Sequence, residues 1–170
     1  MKILDHNLVK SSILELMHGA REYLYICTFS YDITNFETFE FIQLIQRNVR
    51  IELIAGKEIP TEVFSKFAKL YNISVYQLPD LHSKIYFSEE EAISCSCNFG
   101  NLTVPRLYES GIQFSRKDYR TQYQQLKEQV MFLISQASTV LPIVPFNHEG
   151  GIDLREFITS GSRPLKSKKK

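Results

Sequence analysis

His82, Lys84, Ser96 and Asn98 fall within one stretch, LHSKIYFSEEEAISCSCNFGN at positions 81–101, and together they hold the parts of a metal-free phosphodiester reaction. An imidazole can attack phosphorus, a lysine ammonium can hold a nonbridging oxygen, and hydroxyl and carboxamide groups add neutral hydrogen bonds. Residues 81–87 alternate and are rich in bulky side chains, so they read as a β-strand in which residues i and i+2 share a face. His82 and Lys84 are then expected to project side by side, while Leu81, Ile85 and Phe87 turn into the core. A second apolar run at 92–97 follows the acidic turn Glu89, Glu90, Glu91 and predicts strand, turn, strand. In that second strand Ser96 and Asn98 share a side, within reach of His82 and Lys84, and Cys95 and Cys97 point away from it.

The same residues admit a metal reading, with His82, Cys95 and Cys97 as three zinc ligands. Structural zinc sites use two ligand pairs, and this chain has one CxC with no second pair, so neither metal nor cofactor is expected. His6, His18 and His148 read as surface or loop histidines.

The elements that must position the stretch alternate along the chain. Leu8, Ile13, Leu14 and Met17 predict a helix over 7–19, ended by Gly19. Strands follow at 22–28, 50–55 and 73–77, with helices at 36–47 and 61–71, the latter opened by Pro60 and Thr61. A further strand is expected at 107–114, and a long helix at 118–137 carries Tyr119, Tyr123, Leu126, Val130, Leu133 and Ile134 at steps of three and four. Strands alternating with helices point to an α/β fold with a mixed sheet flanked by helices on both faces. Beyond Ala137 the pattern loosens into a connector with two prolines and a Gly-Gly pair, then one short helix in IDLREFITS.

Composition agrees with one domain. The 170 residues are 44% hydrophobic and 23% charged, the balance of an ordinary globule with a sizeable core. No run reaches the about 18 apolar residues of a membrane span, and the first dozen residues lack the apolar core of a signal peptide. Three cysteines, an odd number with no framework spacing, fit a reducing cytoplasm. The net charge of +1 conceals a division: residues 163–170 hold five basic groups, leaving fifteen basic against nineteen acidic in the rest, a net of −4. The body is therefore not a basic globule, and any nucleic-acid contact belongs to a narrow cleft or to the tail.

The 81–101 stretch resembles the phospholipase D superfamily signature HxK(x)4D(x)6GSxN. His82 and Lys84 match its first positions and Ser96 and Asn98 its last; Glu89 stands at the aspartate, Cys95 at the glycine, and five residues rather than six separate those two. The likeness extends over roughly residues 5–137. It takes in a first strand ending in Ser30 and Tyr31, and in LYESGIQFS it places Glu109 where the family carries an acidic residue that orients the catalytic histidine.

The resemblance implies a phospholipase D-like domain over 1–145, an extension with a basic tail over 146–170, and a metal-independent nuclease acting on DNA or RNA. In that scheme His82 attacks phosphorus to form a phosphohistidine, Lys84 and Asn98 hold the phosphate, Glu109 orients His82, Ser96 and Ser30 line the substrate site, and Glu89 is structural support. It further implies a homodimer, because a single-motif chain lacks the second histidine that protonates the leaving group, and a twofold axis supplies it. A non-catalytic binding module and a phospholipase are the alternatives; the second ranks lower because no amphipathic or apolar segment suits a lipid surface.

Overall fold

The computed structural model describes residues 1–30, 35–58, 70–102, 104 and 107–141, with backbone only at 35–39. Most of the helix expected at 61–71, Tyr31, His148, the boundary near 145, the short helix in IDLREFITS and the basic tail lie outside these residues.

Within them, β1 (Lys2–Leu4), α1 (Val9–Gly19), β2 (Tyr23–Thr28), α2 (Asn35–Gln46), β3 (Arg50–Ala55), β4 (Ile73–Gln77), β5 (Lys84–Ser88), β6 (Glu91–Cys95), β7 (Gly111–Ser115), α3 (Arg120–Gln136) and β8 (Ser138–Leu141) follow one another. All eight strands join one sheet in the order β1-β7-β6-β5-β2-β3-β4-β8. The β2–β3 and β3–β4 pairs are parallel and the others antiparallel. The mixed α/β sheet is the expected one.

Its central strands read as unbroken apolar runs because both faces are covered. Leu24, Ile26, Leu53, Val75, Tyr86 and Ile93 face α1 and α2, whose inward stripes include Val9, Ile13, Leu16 and Met17 and then Phe41 and Leu44. Tyr25, Cys27, Ile54, Ile85, Phe87 and Ala92 face α3, which buries Tyr123 and Val130 against them. On that side the Tyr123 ring lies tilted against Phe87, centroids 4.5 Å apart, and its hydroxyl donates to the Ser88 carbonyl at 2.6 Å.

Two edge strands depart from the sequence reading. β1 was not foreseen, and Ser138–Leu141, read as the start of a connector, pairs with β4. At three and four residues these strands are too short to show a period. A third departure bears on chemistry: β5 begins at Lys84, not at Leu81. Asp80 sits in the left-handed region at φ 65° and turns the chain. The ladder with β2 opens only at Cys27↔Ile85, near the point where β2 itself ends.

The order of connections places a crevice. The chain runs outward through β2, β3 and β4, then crosses back to lay β5 on the other side of β2. The carboxyl ends of β2 and β3 and the start of β5 therefore meet at a topological switch point, where α/β sheets bind ligands.

Candidate active site

Asn98 is fixed by the end of β2. Its Oδ1 accepts the Phe29 N–H at 3.1 Å and lies 3.3 Å from Thr28 Oγ1. A main-chain N–H can donate only to the oxygen, so the amide's orientation is settled and its NH2 end is left to donate elsewhere. The buried Thr28 hydroxyl completes the knot, donating to the Ser30 carbonyl at 2.8 Å and accepting the Phe99 N–H at 3.1 Å. Ser30 thus lies at the same strand end, through its main chain.

His82 and Lys84 do meet, by a different route from the expected one. His82 is exposed in the loop ahead of β5 and Lys84 is buried at the first position of the strand. The lysine side chain folds back, with Nζ 3.2 Å from Nδ1 and 3.4 Å from Nε2 of the imidazole and 2.7 Å from the His82 carbonyl oxygen. An ammonium has only protons to offer, so a ring nitrogen that accepts from it carries its lone pair, the state a nucleophile requires. The Phe29 ring leans on the imidazole with centroids 5.6 Å apart.

Burial lowers the Lys84 pKa, and the negative charges of Cys95 and Glu109 oppose the shift. Burial also pushes the Cys95 thiol up to about 12, so at neutral pH that thiol is uncharged and the opposing charge is that of Glu109. If a charged Lys84 holds the phosphate, turnover is full while it is protonated and fails as pH rises through its lowered pKa. The alkaline limb of the pH–rate profile is expected below the ordinary lysine range, and Lys84→Arg should move it upward.

Glu109 does not bond His82 here. Its carboxylate takes the Ser96 hydroxyl, while Ser96 exchanges main-chain and side-chain bonds with Ser110. An open groove is lined by His82, Lys84, Cys95, Ser96 and Gly111 together with Ile112 and their neighbours. The expectation that Cys95 points away from the site is corrected by register: Lys84 pairs with Cys95, so the two share a face. Cys97 is buried in the core beside α1, and Cys27 and Cys97 are also pushed up to about 12 by burial. Among the described residues no three His, Cys, Asp or Glu side chains converge on a possible metal position.

The departures from the signature have structural counterparts. Opposite Cys95 stands Gly111, where a Cβ would come within 2.6 Å of the cysteine's own. The missing side chain at 111 makes room for the one at 95. Glu89 is buried and anchors the start of β2, its Oε1 accepting the Arg21 N–H at 2.6 Å and its Oε2 lying 3.5 Å from the Tyr23 nitrogen. Glu89→Ala is expected to cost about 2 kcal/mol, as a lost charged acceptor does. A lower denaturation midpoint at unchanged slope would register it, and Glu89→Gln should recover much of the loss.

Sequence reasoning passed over Phe29 and Lys57. Only the parallel pairing of β2 with β3, two strands distant in the chain, sets them side by side.

No protein-family model and no curated protein matches the sequence. Solved structures do. NucT from Helicobacter pylori superposes with a TM-score of 0.67 at 13% identity, covering 81% of this chain and 97% of its own. Nuc from Salmonella typhimurium, a phospholipase D family member, gives 0.67 at 10% identity over 83% and 99%. TrmBL2, an archaeal chromatin protein with a novel mode of DNA binding, gives 0.61 at 15% identity over 82% of this chain and 54% of its own. A sheet of this order, with a switch point at β2 and β5 and near-complete coverage of two such structures, identifies the chain as having the phospholipase D superfamily fold.

Proposed function

We propose that the protein is a metal-independent phosphodiesterase that cleaves nucleic acid through a phosphohistidine intermediate. The observation that carries the reading is the Lys84 ammonium held against the His82 ring at the β2–β5 switch point, with Asn98 pinned beside it. A ring nitrogen of His82 attacks phosphorus and the bond to the leaving oxygen breaks. Lys84 and the Asn98 NH2 hold the nonbridging oxygens as charge builds on them. The leaving oxygen takes a proton from a second imidazole; water then attacks phosphorus and the P–N bond breaks, returning His82 and releasing the phosphate-bearing end, while that second imidazole accepts the proton of the water. Glu109, which could orient His82 only by leaving Ser96, opposes the effect of burial on Lys84 from its place at the rim.

The second imidazole comes from another copy of the chain across a twofold axis. Ile3, 76% exposed, and Ile112 line the groove, and Tyr108, 89% exposed, precedes its lining residue Ser110 by two positions; exposed apolar groups of this kind suit a contact between copies. A non-catalytic binding module is the second reading, favoured by the likeness to the DNA-binding chromatin protein.

Incubation with DNA, RNA and phospholipid in excess EDTA separates these. Nucleic-acid cleavage by a species sedimenting at twice the chain mass is expected, and Tyr108→Arg should give a monomer with little activity. Phospholipid turnover alone would overturn the reading, a monomer that still cleaves would remove the shared site, and binding without turnover would favour the module.

A further inference from the structure

Lys57 belongs to neither the signature nor the core, yet its surroundings are fixed. Its N–H donates to the Phe29 carbonyl at 2.8 Å, and the Ala55 carbonyl two residues earlier accepts the Leu78 N–H at 2.9 Å. Between them Gly56 packs so closely that a Cβ there would lie 2.4 Å from the Leu81 carbonyl oxygen, on the segment that carries His82. The main chain is thus locked against the site, and the exposed Lys57 side chain alone has freedom.

That side chain reaches back to the site. Its Nζ stands 5.1 Å from the centroid of the Phe29 ring, while Lys84 Nζ stands 5.8 Å from the same centroid and the His82 ring leans on it. Two ammonium groups around one ring repel each other, and the ring's attraction for an exposed cation is weak. Glu109 offsets the charge of Lys84. Lys57 has no carboxylate partner among the described residues, where the ion pairs are His18–Glu40 and Arg50–Glu52.

We infer that Phe29 and Lys57 form a second subsite in which Lys57 takes a phosphate adjacent to the scissile one and the half-buried Phe29 ring supports the nucleotide between them. The inference rests on the proposed phosphodiesterase site and narrows its substrate to a chain carrying successive phosphates, since a phospholipid with one phosphodiester leaves Lys57 nothing to bind. A polynucleotide supplies such charges at every step. The aromatic face beside them suits a base of any sequence.

The test is the salt dependence of binding, which needs no turnover. In the His82→Ala background, fluorescence anisotropy with a labelled single-stranded oligonucleotide is followed over a range of NaCl concentrations. Lys57→Gln is expected to lower the slope of log K against log salt by about 0.7, the value of one phosphate contact on a single strand. Lys57→Arg should keep the slope. Lys117→Gln makes the same charge change beyond the far end of β7 and should leave the slope as it was. An unchanged slope in Lys57→Gln, or an equal drop in Lys117→Gln, would overturn the subsite. So would phosphatidylglycerol vesicles that lose binding with Lys57→Gln while the oligonucleotide does not. A slope change together with a wild-type protein that cleaves nothing would count against the nuclease reading and uphold the subsite.

Discussion

Replacing His82 with alanine is expected to reduce nucleic-acid cleavage by about 10⁴-fold or more, the scale seen when an attacking nucleophile is removed. The fold should tolerate the change. His82 is exposed, lies outside the β5 ladder and contacts Lys84 and the edge of Phe29, so stability should move by no more than about 0.5 kcal/mol. Single-turnover assays in EDTA beside a thermal melt separate chemistry from folding. A variant that melts like the wild type and keeps a tenth of its rate would assign the nucleophile elsewhere.

Asn98→Asp carries the second large effect, and it is more informative than alanine. The Asn98 carboxamide does two jobs from opposite ends: its oxygen accepts the Phe29 N–H at 3.1 Å, and its NH2 is free for the phosphate. Alanine would remove both and leave the Phe29 N–H without an acceptor, at a cost of about 1–3 kcal/mol if that group stays buried. Aspartate keeps the acceptor and replaces the donor with a negative charge facing an anion. Melting should therefore change little while turnover falls by about 10²–10³-fold, the loss that follows removal of one preorganised donor. An unaffected rate would exclude Asn98 from the phosphate clamp.

Glu89 and Cys95 bring the two stability arguments together. Both depart from the superfamily signature, and the departures could signal an inherited, inactive site. The geometry gives each a local accommodation: the longer glutamate reaches main-chain N–H groups at the start of β2, and Cys95 fits because Gly111 has no side chain. Neither accommodation displaces His82, Lys84 or Asn98.

The legible part of this chain was what each element records about its own burial. Continuous apolar runs marked β2, β3 and β4 because they are covered on both faces, and the stripe through Tyr123 and Val130 marked α3 because one side packs on the sheet. The residue types of the site were legible too, since imidazole, ammonium and carboxamide are rare in such company. Their arrangement was less so. Alternation placed His82 beside Lys84 for a reason that does not hold, because the left-handed turn at Asp80 delays the strand and the lysine instead folds back on the loop.

Sequence by itself determined the layered α/β class and the chemical inventory at 82–98. Tertiary structure alone decided that Cys95 shares the Lys84 face, that Glu109 bonds Ser96, and that Phe29 and Lys57 stand beside the imidazole. The physical reason is that periodicity encodes which side of an element is buried, a local property, whereas these neighbours depend on register between strands distant in the chain. Asn98 reaches Phe29 across a separation of 69 positions through one hydrogen bond, and no local pattern in the sequence registers it.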